Sequence, residues 1–100
     1  MSFIRVTLLV PLDKEQALEE AIKQIELAAM VVVKVRGYGD HPNFYSTNWT
    51  TESAMFELYL AKDYMEQLKK KIRSVCNVDG DNEGIMIVSD VSEMLAIKNI

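Results

Sequence analysis

The strongest constraint on this chain is a pattern that occurs twice. Phe3 to Val10 alternates, with Ile4, Val6, Leu8 and Val10 on one side and Phe3, Arg5, Thr7 and Leu9 on the other. Ala54 to Ala61 alternates again, with Phe56, Leu58 and Leu60 opposed to Met55, Glu57 and Tyr59. Successive side chains of a strand point to opposite faces, so each run predicts a strand with one apolar face. Soon after each run stands an acidic residue with Gln or Glu three positions on, Asp13 with Gln16 and Asp63 with Glu66, which is the spacing of a capping box at a helix start. Helical stripes follow. Leu18, Ala21, Ile22, Ile25 and Ala28 share one side of the first, with Lys14, Glu15, Glu19, Glu20 and Lys23 outside it, and Met65, Leu68, Ile72 and Val75 carry the second as far as Asn77.

A β-branched run, Val31 to Arg36, closes the first unit, and Ile85-Met86-Ile87-Val88 closes the second after the turn-rich Asp79-Gly80-Asp81-Asn82-Glu83-Gly84; Ser89 to Ile100 reads as a mixed tail. The order is β-α-β-β-α-β. At 100 residues the chain holds enough apolar content for one core, so a single domain spanning 1–100 is expected. The economical arrangement is an α+β, ferredoxin-like fold, a four-stranded antiparallel sheet with both helices on one face. Two helices leave the other sheet face uncovered, and that face carries the mixed set Phe3, Arg5, Thr7, Leu9, Met55, Glu57 and Tyr59. Large apolar groups there predict self-association, with a closed cyclic assembly as the way to bury them without forming filaments.

Composition excludes several classes. A formal charge of −4, with Lys69-Lys70-Lys71 as the one basic run, argues against nucleic acid as a partner, and that run fits the solvated side of a helix. No apolar span is long enough for a membrane helix, no leader pattern stands at the N-terminus, and the lone Cys76 has no disulfide partner within the chain, so a cytoplasmic protein without direct membrane insertion is expected. Catalysis lacks its parts, because His41 is the single histidine and no Ser or Cys has an evident base. The expectation is a protein that is not an enzyme.

Recognition points to one segment. The strand Val31 to Arg36 ends at Gly37-Tyr38-Gly39 and opens into a polar loop, Asp40 to Ser53, that carries His41, Phe44, Tyr45 and Trp49. Glycine serves where backbone takes positive φ or lies close to a ligand, and loops held by a rigid sheet concentrate binding residues. The same glycines also suit the turn of a long hairpin, and the aromatics suit either a partner surface or a small cluster packed within the loop or the cleft between subunits. Glu57 suits a cross-strand ion pair with Arg5 or Arg36.

Lys34-Val35-Arg36-Gly37-Tyr38-Gly39 before a long loop, Phe56-Glu57-Leu58 on the return strand, and Glu83-Gly84-Ile85-Met86-Ile87-Val88-Ser89-Asp90-Val91 near the end resemble, in order and spacing, the PII-like signalling proteins. The resemblance implies a homotrimer whose sheets face a central axis and a signal-transduction role. It also implies an adenine nucleotide in the cleft between subunits and a mobile loop, the T-loop, that regulates a membrane transporter or a metabolic enzyme. Carried over by position, Gly37, Gly39, Glu57, Gly84 and Lys98 would contact the effector, and the 40–53 loop would contact the partner. The chain departs from the nitrogen-regulatory members at Ile85, where they carry a basic residue, and at Ala96, where they carry an arginine; Lys98 stands at the position of a second arginine. The loop is also shorter, with Asp40-His41-Pro42 where a glutamine is expected, and the turn supplies Asp79, Asp81 and Glu83. Phosphates need donors and positive charge, so ADP or AMP is expected in preference to ATP.

Two alternatives stand beside this. The first is a divalent-metal-binding trimer similar to the CutA-type proteins, with His41, Asp81 and Glu83 converging across subunits. The second is an interaction scaffold that binds no small molecule.

Overall fold

The computed structural model describes residues 2–38, 50–76 and 84–100. Its elements run β1 (Phe3–Pro11), a 3-10 turn (Leu12–Lys14), α1 (Glu15–Ile22), β2 (Ala29–Tyr38), β3 (Thr50–Ala61), a second 3-10 turn (Lys62–Tyr64), α2 (Met65–Cys76), β4 (Ile85–Val91) and a last 3-10 turn (Ile97–Asn99). The strands form one four-stranded antiparallel sheet in the order β2-β3-β1-β4, the expected ferredoxin-like topology. The two alternating strands, β1 and β3, occupy its centre. They pair from Phe3 against Ala61 to Pro11 against Ser53, so their apolar sides fall on the same face.

That shared face is the core. Ile4, Val6 and Leu8 of β1 and Phe56, Leu58 and Leu60 of β3 are fully buried against Leu18 and Ile22 of α1 and Leu68 of α2. Met30 and Val32 from β2 and Met86 from β4 extend it toward the sheet edges. Removing such side chains from water stabilises by about 1.5–3 kcal/mol each, so two strands and two helices suffice to fix the architecture.

Several boundaries differ from the sequence expectation, each for a visible reason. The chain turns off β1 and β3 through 3-10 turns, so Asp13 and Asp63 lie inside those turns and not at the start of an α-helix. The turns are capped at Pro11 and Ala61, which make no side-chain cap hydrogen bond. α1 stops at Ile22; Ile25 remains buried beyond it, whereas the Ala28 N–H donates to the Tyr59 carbonyl at 2.8 Å and joins the sheet. β2 does not stop at Gly37, which pairs with Thr51 inside the strand. The 40–53 loop is likewise cut back, because Thr50 to Ser53 belong to β3 and pair with Val35 to Tyr38. Threonines favour extended backbone, and the cross-strand pair Arg36 with Glu52, 3.6 Å apart, adds to the extension. β4 continues to Val91 by pairing with Phe3.

Gly84 enters β4 at φ +124°, and a Cβ there would lie 2.8 Å from the Leu9 carbonyl oxygen, inside contact distance of backbone that cannot move aside. Gly84→Ala should destabilise the fold by at least about 1–3 kcal/mol in urea unfolding. A variant within experimental error of the parent would show that this approach is not a constraint. Phe56→Ala, at the centre of the core, should cost about 3–5 kcal/mol by the same measurement, with a loss below 1 kcal/mol contradicting its place there.

Candidate functional site

The sheet face away from the helices is organised in transverse rows set by the strand registers. Val33, Met55, Leu9 and Ile85 make one row across β2, β3, β1 and β4. The next row is Val31, Glu57, Thr7 and Ile87, and the one after it is Ala29, Tyr59, Arg5 and Ser89. Four polar side chains thus occupy the two central strands, bordered by Val31 and Ala29 on the β2 edge, by Ile87 on the β4 edge, where Ser89 stands beside Arg5, and along one side by the apolar row. Val31 (53% exposed), Val33 (38%), Ile85 (54%) and Ile87 (49%) face outward. The face projects an area on the order of 500 Å² at ordinary strand spacing. Contiguous exposed apolar groups such as those along its margins commonly mark interfaces.

The polar centre is internally satisfied. The Thr7 hydroxyl donates to Glu57 Oε1 at 2.6 Å, Arg5 Nε lies 3.4 Å from the same oxygen, and the Tyr59 hydroxyl donates to Glu57 Oε2 at 3.3 Å. Of the two ion-pair partners considered for Glu57, the structure selects Arg5, while Arg36 on the opposite face pairs with Glu52. The hydrogen bond from Thr7 holds the Glu57 carboxyl below its usual range; partial burial opposes that shift, and the Arg5 charge and the Tyr59 hydroxyl add to it.

The glycines lie elsewhere. Gly37 on β2 and Gly84 beside β4 stand near the same end of the sheet but at opposite edges, three strand spacings or roughly 14 Å apart across it. Glu57 lies six residues along β3 from Thr51, the partner of Gly37, which is about 20 Å of strand. Lys98 is exposed in the last 3-10 turn, which follows in sequence the end of β4 where Val91 pairs with Phe3. Within one protomer, then, the structure does not bring Gly37, Glu57 and Gly84 together. Gly39, His41, Phe44, Tyr45, Trp49, Asp81 and Glu83 lie outside the described residues. No group of three or more His, Cys, Asp or Glu side chains suited to a metal occurs among the described residues, and none of their helices is long and apolar enough to cross a membrane.

One feature had no signal in the sequence. Where β1 begins and β3 and β4 end, Ser2, Phe3, Lys62, Asp90, Glu93 and Met94 line an open concavity of about 460 Å³ with charges of both signs. It is assembled by register alone, since Phe3 pairs with both Ala61 and Val91.

The family model for the nitrogen regulatory protein P-II matches residues 3–99. The chain belongs to the P-II family. That makes it a member of a family of signalling regulators, as the motifs around Gly37 and Gly84 had implied. Among curated proteins no relative matches. Among solved structures, a DUF3240 family protein from Shewanella baltica OS155 superposes with a TM-score of 0.78 at 11% identity, covering 97% of this chain and 98% of that one. Arabidopsis thaliana PII bound to citrate superposes at 0.74 with 21% identity, covering 97% of this chain and 84% of that one. At these identities the two structures establish the P-II fold.

Glu57 also makes this P-II chain acid-sensitive in a defined window. Its folded-state carboxyl titrates below the unfolded one, so its stabilisation is complete above the unfolded value, near pH ~4.3, and disappears as pH falls through the lower folded value. Unfolding midpoints measured from pH 7 to pH 3 at fixed protein concentration should fall less steeply for Glu57→Gln than for the parent. Identical acid limbs would remove Glu57 from the account.

Proposed function

We propose that this P-II family chain is a cytoplasmic homotrimeric regulator. The subunits assemble through their open sheet faces and bind a small anionic effector in the clefts between neighbours. The observation that carries the proposal is the open face, where apolar rows surround a charge pair already neutralised within the chain. Such a surface gains by leaving water, and no element among the described residues of its own chain covers it. The separation of the two glycines supports the intersubunit cleft. Gly37 and Gly84 occupy opposite edges of one sheet, so an effector that touches both takes one from each of two adjacent copies.

The effector class is an adenine nucleotide, with ADP or AMP preferred to ATP because Ile85 and Ala96 leave Lys98 as the remaining positive group from the turn and tail. A solved relative holds citrate, which keeps the proposal within small anions. Gly37, Gly39 and Gly84 offer backbone, and Lys98 offers charge, to such a ligand. Glu57 we assign to the assembly face, since its carboxylate is engaged by Thr7, Arg5 and Tyr59. The 40–53 loop, which carries His41, Phe44, Tyr45 and Trp49, contacts a partner transporter or metabolic enzyme. Effector binding regulates that partner by favouring one loop conformation over another.

Calorimetry with AMP, ADP, ATP and citrate, each with and without magnesium, tests the effector. Saturable binding of AMP or ADP is expected, weakened at least tenfold by Gly37→Ala with the oligomeric mass unchanged. No binding by any of the four ligands, or equal affinities for variant and parent, would contradict the assignment.

A further inference from the structure

The open face poses a question of selectivity. Its apolar rows attract any apolar surface, because the hydrophobic effect is non-directional. What distinguishes partners is the charge pair in the middle. Covering the face takes Arg5 and Glu57 out of water, which is tolerable only while both are charged and remain paired. The carboxylate is well provided for, accepting from the Thr7 and Tyr59 hydroxyls as well as facing the guanidinium.

We propose that the Arg5–Glu57 pair is a selectivity and release device for assembly between copies of this chain, holding the sheet-face assembly together near neutral pH and loosening it when Glu57 takes up a proton. This rests on the assembly reading above. The occupant of the face is a second copy, because a covering surface must bring apolar groups to the margins and polar groups to the centre, and this face itself has that pattern. A wholly apolar partner would leave the charged centre against hydrocarbon.

Protonation of Glu57 alters the balance through Arg5. The guanidinium stays charged at any accessible pH, so a neutral Glu57 leaves an uncompensated cation inside the interface. Outside the assembly, water solvates that cation, since the Arg5 side chain is half exposed in the single protomer. Acid therefore favours the separated state. The groups facing this pair on the sheet are Tyr59 from β3 and Thr7 from β1; β2 contributes Val31 and β4 contributes Ile87 and Ser89, none of which titrates. Arg36 and Glu52 point to the helix side of the sheet. Glu57 is thus, among the described residues, the group facing Arg5 whose charge acid removes.

The experiment is mass by multi-angle light scattering from pH 7.5 to pH 3, with far-UV circular dichroism to confirm that each protein stays folded. Parent protein, Glu57→Gln and the double variant Arg5→Met with Glu57→Met are compared. The proposal expects the parent to be assembled at pH 7.5 and to dissociate as pH falls below 4 toward pH 3 with its secondary structure retained. It expects Glu57→Gln to dissociate at least tenfold more readily already at pH 7.5, and the double variant to stay assembled throughout. A parent that stays assembled to pH 3, or a double variant that dissociates in parallel with it, overturns the release device and leaves the assembly reading standing. A parent that is monomeric at pH 7.5 overturns both.

Discussion

A four-stranded sheet has two faces, and this chain supplies helices for one of them. The constraint originates in β1 and β3, whose alternation commits Ile4, Val6, Leu8, Phe56, Leu58 and Leu60 to the core and leaves Arg5, Thr7, Leu9, Met55, Glu57 and Tyr59 on the other side. Because the side-chain period of a strand is two, no shift of register satisfies both faces. The helices settle on the wholly apolar face. What remains is a mixed surface whose apolar margins disfavour exposure and whose charges disfavour careless burial. The proposed assembly of copies through that face, and the effector cleft proposed between them, both rest on that division.

The polar centre shows how such a face is made compatible with both states. An isolated carboxylate in the middle of a sheet would resist being covered, and an isolated arginine would do so more strongly because it cannot be neutralised. Placed diagonally across the central strands, with two hydroxyls within reach, the two charges are carried as a nearly neutral unit. Gly84 serves a different need. Its missing Cβ lets β4 begin against the Leu9 carbonyl, which sets the register that places Ile85 and Ile87 on the open face.

Much of this was legible in the sequence, because alternation and helical spacing are local. The two buried sides and the mixed composition of the open face could be read from residues 3–10 and 54–61, and the β-α-β-β-α-β order from those runs together with 31–36, 85–88 and the two helical stripes. The parts that were not legible depend on long-range geometry or on backbone detail. The spacing at Asp13 and Asp63 suggests caps, but the chain leaves each central strand through a 3-10 turn that places those residues inside it. Thr50 to Ser53 looked like loop because they lack apolar alternation; their strand character comes from partners on β2, including Arg36 facing Glu52. Two partners for Glu57 fitted the sequence equally, and only the register chose Arg5. The concavity beside Lys62, Asp90 and Glu93 had no sequence signal, since three strand ends build it.

The central claim is that the open face is covered by other copies of this chain. The most direct measurement is an isotope-filtered nuclear Overhauser experiment on a mixture of methyl-labelled and unlabelled protein at neutral pH. It would read contacts between copies at Val31, Val33, Leu9, Ile85 and Ile87. The account predicts intermolecular contacts at these methyls and none at Leu18, Ile22 or Leu68 in the helix layer. Intermolecular contacts absent from the sheet face, with its methyls left facing solvent, would contradict it.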